Sequence, residues 1–261
     1  MGKLTNALKK AAETRMERIE KINSIKERSS IIIKKMGDSQ IDPRIVTYFD
    51  PKALVSEQYK IMRTNVLSIN KGKPFKVCII TSSIHMEGKT LSALNLAVTL
   101  AQTVKKPKVL VIDADMRRGR VERYLGVKQP VGLSEVLRGQ GDPADALFKI
   151  DLENLTFMTS GAVPENPVEL LDSENMAKFL AEMKMQFDHI IIDTPPIISV
   201  TDAGILGSQT DGAVFIIQAG RTQRGIVSRA TELLHQAHTK ILGYVLTNVE
   251  YHLPEYIYRY L

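Results

Sequence analysis

Short apolar runs, each bounded by polar or small residues, recur through most of the chain. The runs predict buried β-strands, which lie at 77–80, 108–112, 155–158, 188–192, 212–217 and 241–247. Segments with apolar residues three or four positions apart lie between them and predict helices. Strands that alternate with helices predict an α/β domain with a mostly parallel, twisted sheet and helices on both faces. A helix from Ser56 to Leu67, with Ser56 as its N-cap, is predicted before the first strand.

Residues 1–50 are predicted to form a basic helical arm and a linker. The chain has 35 Lys and Arg residues and 29 Asp and Glu residues; ten basic and four acidic residues lie in residues 1–35, so the remaining 25 and 25 balance. A basic amphipathic helix can lie on an anionic membrane surface or dock on a partner protein, and a solvated helix or disordered tail is the alternative. Residues 1–35 include no aromatic residue and the rest of the chain is neutral, so nucleic acid is not expected as a partner.

The composition is that of a soluble globular protein, with 44% hydrophobic and 25% charged residues. Cys78 is the only cysteine, which excludes a disulfide framework and favours the cytoplasm. No apolar run reaches the roughly 18 residues of a membrane-spanning helix, and no signal peptide is evident at the N-terminus. We therefore expect a cytoplasmic protein.

The segment 76–90, KVCIITSSIHMEGKT, has the order strand, loop and helix start. Backbone N–H groups and the positive end of a helix dipole meet at such a junction and favour phosphate. Lys89 is predicted to contact the β- and γ-phosphates of ATP, and Thr90 to hold Mg²⁺. The consensus phosphate loop has glycine at the position of Ser83, so an ordinary loop with a capping serine is the alternative. The predicted nucleotide-binding residues are Ser83, Glu87, Gly88, Lys89, Thr90 and Leu91.

Three aspartates follow predicted strands directly: Asp113 and Asp115 after one strand, and Asp193 after another. Because ligands bind at the carboxyl ends of parallel strands, we expect these carboxylates to surround the same nucleotide. Thr90, Asp113 and Asp193 are the candidate metal ligands. One of Asp113 and Asp115 would serve the metal while the other accepts a hydroxyl proton, and we favour Asp115 as that base. Each aspartate taken alone could instead cap a helix or form a turn.

The last eleven residues hold half of the chain's eight tyrosines: Tyr251, Tyr256, Tyr258 and Tyr260. The alternation of tyrosines is compatible with a core strand. A flexible terminal segment of phenols is instead suited to enter an active site, its own or a neighbour's. We predict that these tyrosines are phosphoacceptors. The predicted division of the chain is an arm and linker (1–50), a nucleotide-binding domain (51–248) and a tyrosine-rich tail (249–261).

The motifs EGKT, VLVIDADMRR and IIIDTPP, together with the tyrosine-rich tail, resemble the bacterial tyrosine autokinases of polysaccharide synthesis and export, in their stand-alone cytoplasmic form. The resemblance implies a P-loop NTPase fold, with ATP and Mg²⁺ bound by these motifs and Lys89, Asp113 and Asp115 as catalytic residues. It also implies a ring-like homo-oligomer whose subunits phosphorylate one another's tails. A membrane adaptor, the polysaccharide co-polymerase, would activate the kinase through its cytoplasmic end at the inner face of the plasma membrane. The family's subunit-contact helix matches Glu57, Lys60 and Arg63, with lysine in place of one arginine.

Two alternatives to the kinase stay open. His85 and Met86 replace the usual Pro-Gly of the phosphate loop, and with Ser83 they motivate a non-catalytic scaffold as one alternative. The septum-site and chromosome-partitioning ATPases share the loop and sheet. The other alternative is therefore an ATPase switch that cycles on a membrane. Those ATPases have a second lysine where this chain has Ile84, which favours the kinase. Asn248 occupies a position that often contacts adenine in these folds.

Overall fold

The computed structural model describes residues 34–35, 40–69 and 74–249. The strands of this part are β1 (Lys34–Lys35), β2 (Val77–Ser82), β3 (Val109–Asp113), β4 (Leu147–Lys149), β5 (Leu155–Met158), β6 (His189–Asp193), β7 (Ala213–Gln218) and β8 (Ile241–Thr247). Its helices are α1 (Val46–Phe49), α2 (Leu54–Ser68), α3 (Lys89–Ala101), α4 (Val121–Leu125), α5 (Leu133–Leu137), α6 (Pro143–Ala146), α7 (Pro167–Leu171), α8 (Glu174–Gln186), α9 (Asp202–Ser208) and α10 (Arg224–Gln236).

The strands form one sheet in the order β1-β4-β5-β3-β6-β2-β7-β8. Neighbouring strands run parallel except for the antiparallel pair of β4 and β5. The central strands β2, β3 and β6 are buried along their whole length, which explains their β-branched, almost uninterrupted apolar sequences. The predicted mostly parallel sheet with flanking helices is confirmed.

The register of the central strands brings the predicted acids together. Asp113 at the end of β3 is the direct partner of Asp193 at the end of β6. Ile80 of β2 is paired with Asp193 on its other side, and β2 leads into the phosphate loop. One edge of the sheet therefore carries the loop and the acidic strand ends.

The segment 40–50, which we expected to belong to the arm and linker, packs against the domain. Ile45 is only 1% exposed and belongs to the hydrophobic core. The backbone N–H of Thr47 donates to Asn95 Oδ1 on α3 at 3.1 Å, and Asn95 Nδ2 donates to the carbonyl of Arg44 at 3.2 Å. The sequence did not predict this packing because the packing depends on a tertiary contact. The side chain of Asn95 supplies hydrogen bonds that the sequence around residue 47 does not reveal.

Ser56 is not the N-cap of α2, contrary to the prediction. The helix begins at Leu54 and its N-cap is Ala53, which makes no side-chain capping bond. The buried Ser56 hydroxyl instead donates to the carbonyl of Asp50 at 2.6 Å. Most of the predicted arm and the tail tyrosines Tyr251, Tyr256, Tyr258 and Tyr260 lie outside the described residues. Among the residues described, no helix has the length and apolar character needed to cross a membrane.

Candidate functional site

The phosphate loop joins β2 to α3 with two residues in the left-handed region. Gly88 has φ +93° and immediately precedes the helix, and Met86 has φ +66°. Glycine adopts this conformation without strain, whereas methionine does so at a cost of about 1–3 kcal/mol. The turn at Gly88 brings Lys89 and Thr90 to the first positions of α3, where unpaired helix N–H groups favour a bound phosphate.

A polar cavity opens beside this loop. Its wall is formed by His85, Met86, Gly88, Lys89, Thr90, Leu91, Asp115, Arg118, Arg120 and Tyr124. Lys89, Arg118 and Arg120 bring three positive charges to it, and in the described part of the chain none of them forms an ion pair with a carboxylate. Unpaired cations around a helix N-terminus suit a polyanion such as a triphosphate.

Two of the predicted nucleotide-binding residues do not line this cavity. The Ser83 side chain is completely buried, and its hydroxyl has no hydrogen-bond partner among the described residues. Glu87 is 1% exposed, and its carboxylate binds the N–H groups of Ile84 and Gln218 and the hydroxyl of Thr222. Both side chains therefore turn into the protein instead of toward the cavity, and Glu87 supports the loop from behind through these hydrogen bonds.

Asp193 is the acid that best fits a metal. Its Oδ2 accepts a 2.5 Å hydrogen bond from the Thr90 hydroxyl, while its buried Oδ1 has no hydrogen-bond partner among the described residues. Burial raises the pKa of Asp193 to about 6, against the opposing effects of Lys89 and Thr90. An unpaired buried carboxylate oxygen beside a threonine hydroxyl matches the donor set that Mg²⁺ prefers.

The protein alone does not complete such a metal site. Within the described ranges, no group of three or more His, Cys, Asp or Glu side chains is arranged to hold a metal ion. Mg²⁺ commonly takes only one or two protein ligands and completes its octahedron with water and phosphate oxygens. Thr90 and Asp193 therefore fit Mg²⁺ when it arrives with a nucleotide.

The two acids of the motif VLVIDADMRR, Asp113 and Asp115, have different surroundings in the structure. Asp113 is 1% exposed, and its oxygens accept hydrogen bonds from the N–H groups of Asp115, Arg120 and Val121 at 3.1, 2.8 and 3.0 Å. Burial is the main cause that raises the pKa of Asp113 to about 8, and the charge of Asp193 adds to it. Asp113 thus holds the following turn and the start of α4.

Asp115 lines the cavity and is the more accessible of the pair. Its Oδ1 accepts the N–H of Arg118 at 3.0 Å, and no hydrogen bond within the described residues involves its Oδ2. Asp115 also lines an adjoining cavity, together with His85, Arg117, Arg118, Pro195, Ser199 and Val200. The geometry therefore favours Asp115 over Asp113 for contact with a reacting group.

Several residues that line these cavities had no role assigned from the sequence. His85 and Arg118 border both cavities, and Arg120 borders the first. Arg117 Nε lies 3.5 Å from Oδ2 of the buried Asp202, which connects the turn after β3 to the start of α9. The run of arginines directly after a strand-end acid was the available signal, because a cluster of cations beside a phosphate loop indicates anion binding.

Comparisons with known proteins identify the family. Residues 85–240 match the AAA-domain family. The tyrosine-protein kinase YwqD of Bacillus subtilis is 37% identical over 214 residues, which are 82% of this chain and 90% of that protein. This chain belongs to the bacterial tyrosine-protein kinases. It is therefore a protein-tyrosine kinase with an ATP-binding domain.

The crystal structure of the chimerical protein CapA2B2 shares the kinase's fold. It superimposes with a TM-score of 0.76 at 28% identity, over 88% of this chain and 99% of that chain. The cell division ATPase MinD of Pyrococcus furiosus is more distant, with a TM-score of 0.56 at 26% identity over 69% of this chain and 76% of that one. The P-loop fold is common to both, and the greater coverage and TM-score favour the kinase.

The predicted subunit-contact residues of the kinase lie on α2 and have partners in their own chain. Lys60 Nζ contacts Glu57 Oε1 at 2.7 Å and the carbonyl of Pro51 at 2.6 Å. Arg63 Nη1 donates to the carbonyl of Thr99 at 2.7 Å, which leaves part of its guanidinium for another partner. Their role in subunit contact stays a prediction.

Asn248 lies directly after β8 with φ +53°, exposed and not in the wall of the phosphate cavity. The preceding residue, Thr247, donates its hydroxyl to the carbonyl of Glu87 at 2.8 Å. The end of β8 is therefore attached to the phosphate loop. Contact of Asn248 with adenine stays a prediction.

Proposed function

We propose that this kinase transfers the γ-phosphoryl group of ATP to its own C-terminal tyrosines, Tyr251, Tyr256, Tyr258 and Tyr260, between subunits of a homo-oligomer. The observation that carries the proposal is the cavity wall that brings together Lys89, Arg118 and the carboxylate of Asp115. A phosphoryl-transfer site needs positive charge for the phosphates and a base for the nucleophile, and both are present on this wall.

In the proposed reaction, the phenolic oxygen of tyrosine attacks the γ-phosphorus of ATP. A new O–P bond forms, the bond between the γ-phosphorus and the bridging oxygen of ADP breaks, and the phenolic proton passes to Asp115 Oδ2. Lys89 binds the β- and γ-phosphates, while Arg118 and Arg120 offset the charge that spreads over the transferred group. Thr90 and Asp193 would hold Mg²⁺, which would neutralise phosphate charge when it is bound.

The proposed partners are further copies of the chain and the cytoplasmic end of a membrane polysaccharide co-polymerase. Support for a subunit interface comes from exposed apolar side chains on α1 and on α2, the helix that carries Glu57: Phe49, Leu54, Val55 and Ile61. Exposed apolar patches of this kind are typical of protein–protein contacts. Through the co-polymerase, tail phosphorylation would regulate exopolysaccharide synthesis and export at the inner face of the plasma membrane. The basic arm is a candidate for additional contact with that membrane.

Autophosphorylation tests the proposal directly. The full chain, with the cytoplasmic segment of the co-polymerase, is incubated with ATP and Mg²⁺, and phosphotyrosine is mapped by mass spectrometry. We expect phosphate within residues 251–260 of the wild type and of Lys105→Met, an exposed control lysine, and none in Lys89→Met. Absence of phosphotyrosine from the wild type, or its persistence in Lys89→Met, would contradict the proposal.

A mixing experiment tests transfer between subunits. Lys89→Met supplies an intact tail without catalysis, and a chain with the four tail tyrosines changed to phenylalanine supplies catalysis without acceptors. Phosphate on the Lys89→Met chain in the mixture demonstrates transfer in trans. An unphosphorylated mixture, under conditions in which the wild type reacts, indicates transfer within one subunit.

The similarity to MinD motivates the second candidate function, an ATPase switch on a membrane surface. That function predicts ATP-dependent binding to anionic lipid vesicles that survives replacement of all four tail tyrosines by phenylalanine, together with ATP hydrolysis without phosphotyrosine. A non-catalytic scaffold predicts no nucleotide binding in a calorimetric titration.

A further inference from the structure

Glu87 is a buried acid inside the phosphate loop whose hydrogen-bond partners come from two distant parts of the chain. One oxygen, Oε2, accepts the N–H of Ile84 within the loop at 2.8 Å. The other, Oε1, accepts the N–H of Gln218 at 3.2 Å and the hydroxyl of Thr222. With 1% exposure and no place in the cavity wall, the carboxylate does not face the phosphate site.

Two further hydrogen bonds connect the same part of the loop to the ends of β7 and β8. The Thr247 hydroxyl donates to the carbonyl of Glu87 at 2.8 Å. Arg221 Nη1 donates to the carbonyl of Met86 at 3.1 Å. Glu87 is thus held through its side chain and its carbonyl, and Met86 is held through its carbonyl.

The composition of this loop explains why it needs external support. Serine stands at position 83, where a consensus phosphate loop has glycine, and the left-handed position 86 is occupied by methionine. Strained backbone conformations of this kind persist only where surrounding contacts enforce them. The loop N–H groups must nevertheless stay aligned to bind phosphate.

We propose that Glu87 is a positioning residue for ATP, which fixes the phosphate-binding conformation of the loop by bonding it to Gln218 and Thr222 behind it. The inference rests on the ATP site of the proposed function, and it does not depend on the identity of the phosphoacceptor.

The isosteric change Glu87→Gln discriminates this role sharply. Glutamine has one accepting oxygen and one donating amide group. If the amide replaces Oε2, it faces the Ile84 N–H, and if it replaces Oε1, it faces the Gln218 N–H. Either orientation sets two donors against each other in a buried place, although size and shape are unchanged. Thr222→Val removes a single donor and is a milder change at the same carboxylate.

The test measures the dissociation constant of a fluorescent ATP analogue and the steady-state kinetics of the full chain with Mg²⁺. We expect Glu87→Gln to weaken analogue binding and raise KM for ATP about tenfold, since a lost hydrogen bond to a charged group has an effect of this order. The kcat at saturating ATP should change less than about twofold, because the reacting groups are intact. Thr222→Val should weaken binding less, and Thr222→Ser should restore it by returning the hydroxyl. Glu232→Gln, which changes an exposed glutamate of α10, is the matched control.

The double variant Glu87→Gln/Thr222→Val should bind about as weakly as Glu87→Gln alone, because the two residues share one hydrogen bond. Wild-type affinity in Glu87→Gln, or additive losses in the double variant, would overturn the inference. So would a fall in kcat and melting temperature at constant KM, the signature of a purely structural residue. If the analogue result holds while the wild type makes no phosphotyrosine, the positioning role stands and the proposed acceptor is wrong.

Discussion

Replacing Asp193 by asparagine should stabilise the ligand-free protein while it abolishes most of the activity. Asp193 is 1% exposed, is the direct neighbour of Asp113 across the β3–β6 pair, and has one oxygen without a partner among the described residues. Burial raises its pKa from 3.8 to about 6. Because the folded state holds this proton more tightly than the unfolded state, stability falls as pH rises from about 4 through about 6, and the ionised carboxylate destabilises the fold above that range.

The magnitude follows from the size of the pKa change. A rise from 3.8 to about 6 corresponds to about 3 kcal/mol of destabilisation at pH 8. Asparagine removes the charge, and its carbonyl oxygen can still accept the Thr90 hydrogen bond. Its amide group then takes the place of the unpaired oxygen, and leaving this buried group without a partner costs about 1–3 kcal/mol. The expected net gain at pH 8 is therefore about 0–2 kcal/mol, and it should vanish near pH 4, where the wild-type carboxyl is protonated.

Urea unfolding in EDTA without nucleotide, at pH 8 and near pH 4, measures this difference, with the exposed Glu153→Gln as control. With Mg²⁺ and ATP at pH 8 the order should reverse, since ligand binding stabilises only a protein that binds the ligand well. Phosphotransfer by Asp193→Asn should fall by about 100-fold or more, the effect expected for weakened metal binding. A ligand-free Asp193→Asn protein that is less stable than the wild type at pH 8 would refute the reasoning.

Further substitutions probe the support of the site. A Cβ on Gly119 would lie 2.1 Å from Ser160 Oγ, so Gly119→Ala should lower the free energy of unfolding by about 1–3 kcal/mol. In the double variant, Ser160→Gly removes the clashing side chain and should recover most of this loss. Additive losses would contradict the contact. Asn95→Ala leaves the buried N–H of Thr47 without its acceptor and should cost about 1–3 kcal/mol in urea unfolding. A change within about 0.5 kcal/mol of the wild type would contradict a stabilising role for this hydrogen bond.

The sequence was most informative where local pattern and tertiary environment agree. Apolar runs bounded by polar or small residues indicate strands, so β5 and β8 were predicted with their observed bounds, Leu155–Met158 and Ile241–Thr247. Of the other predicted strands, β2 extends two residues further than predicted, and β3, β6 and β7 each begin and end one residue later. The meeting of Asp113 and Asp193 followed from parallel topology, because every strand-end acid lies at the same edge.

Interactions between residues distant in sequence could not be predicted in this way. The bond between Thr47 and Asn95 spans 48 positions, and nothing around residue 47 distinguishes a linker from a packed helix. Glu87 lies in a phosphate loop, so its position suggested contact with the nucleotide. Its actual partners, Gln218 and Thr222, are more than 130 residues away. Asp113 likewise has the sequence position of a catalytic acid, whereas its hydrogen bonds are those of a turn and helix clamp.

A crystal structure of the full chain with a non-hydrolysable ATP analogue and Mn²⁺ tests the central claim most directly, because anomalous scattering locates the metal. Our account predicts the ion beside Thr90 and Asp193, the β- and γ-phosphates against Lys89, and Asp115 at the free side of the γ-phosphate. A metal or triphosphate bound away from Asp193 and Lys89 would contradict it.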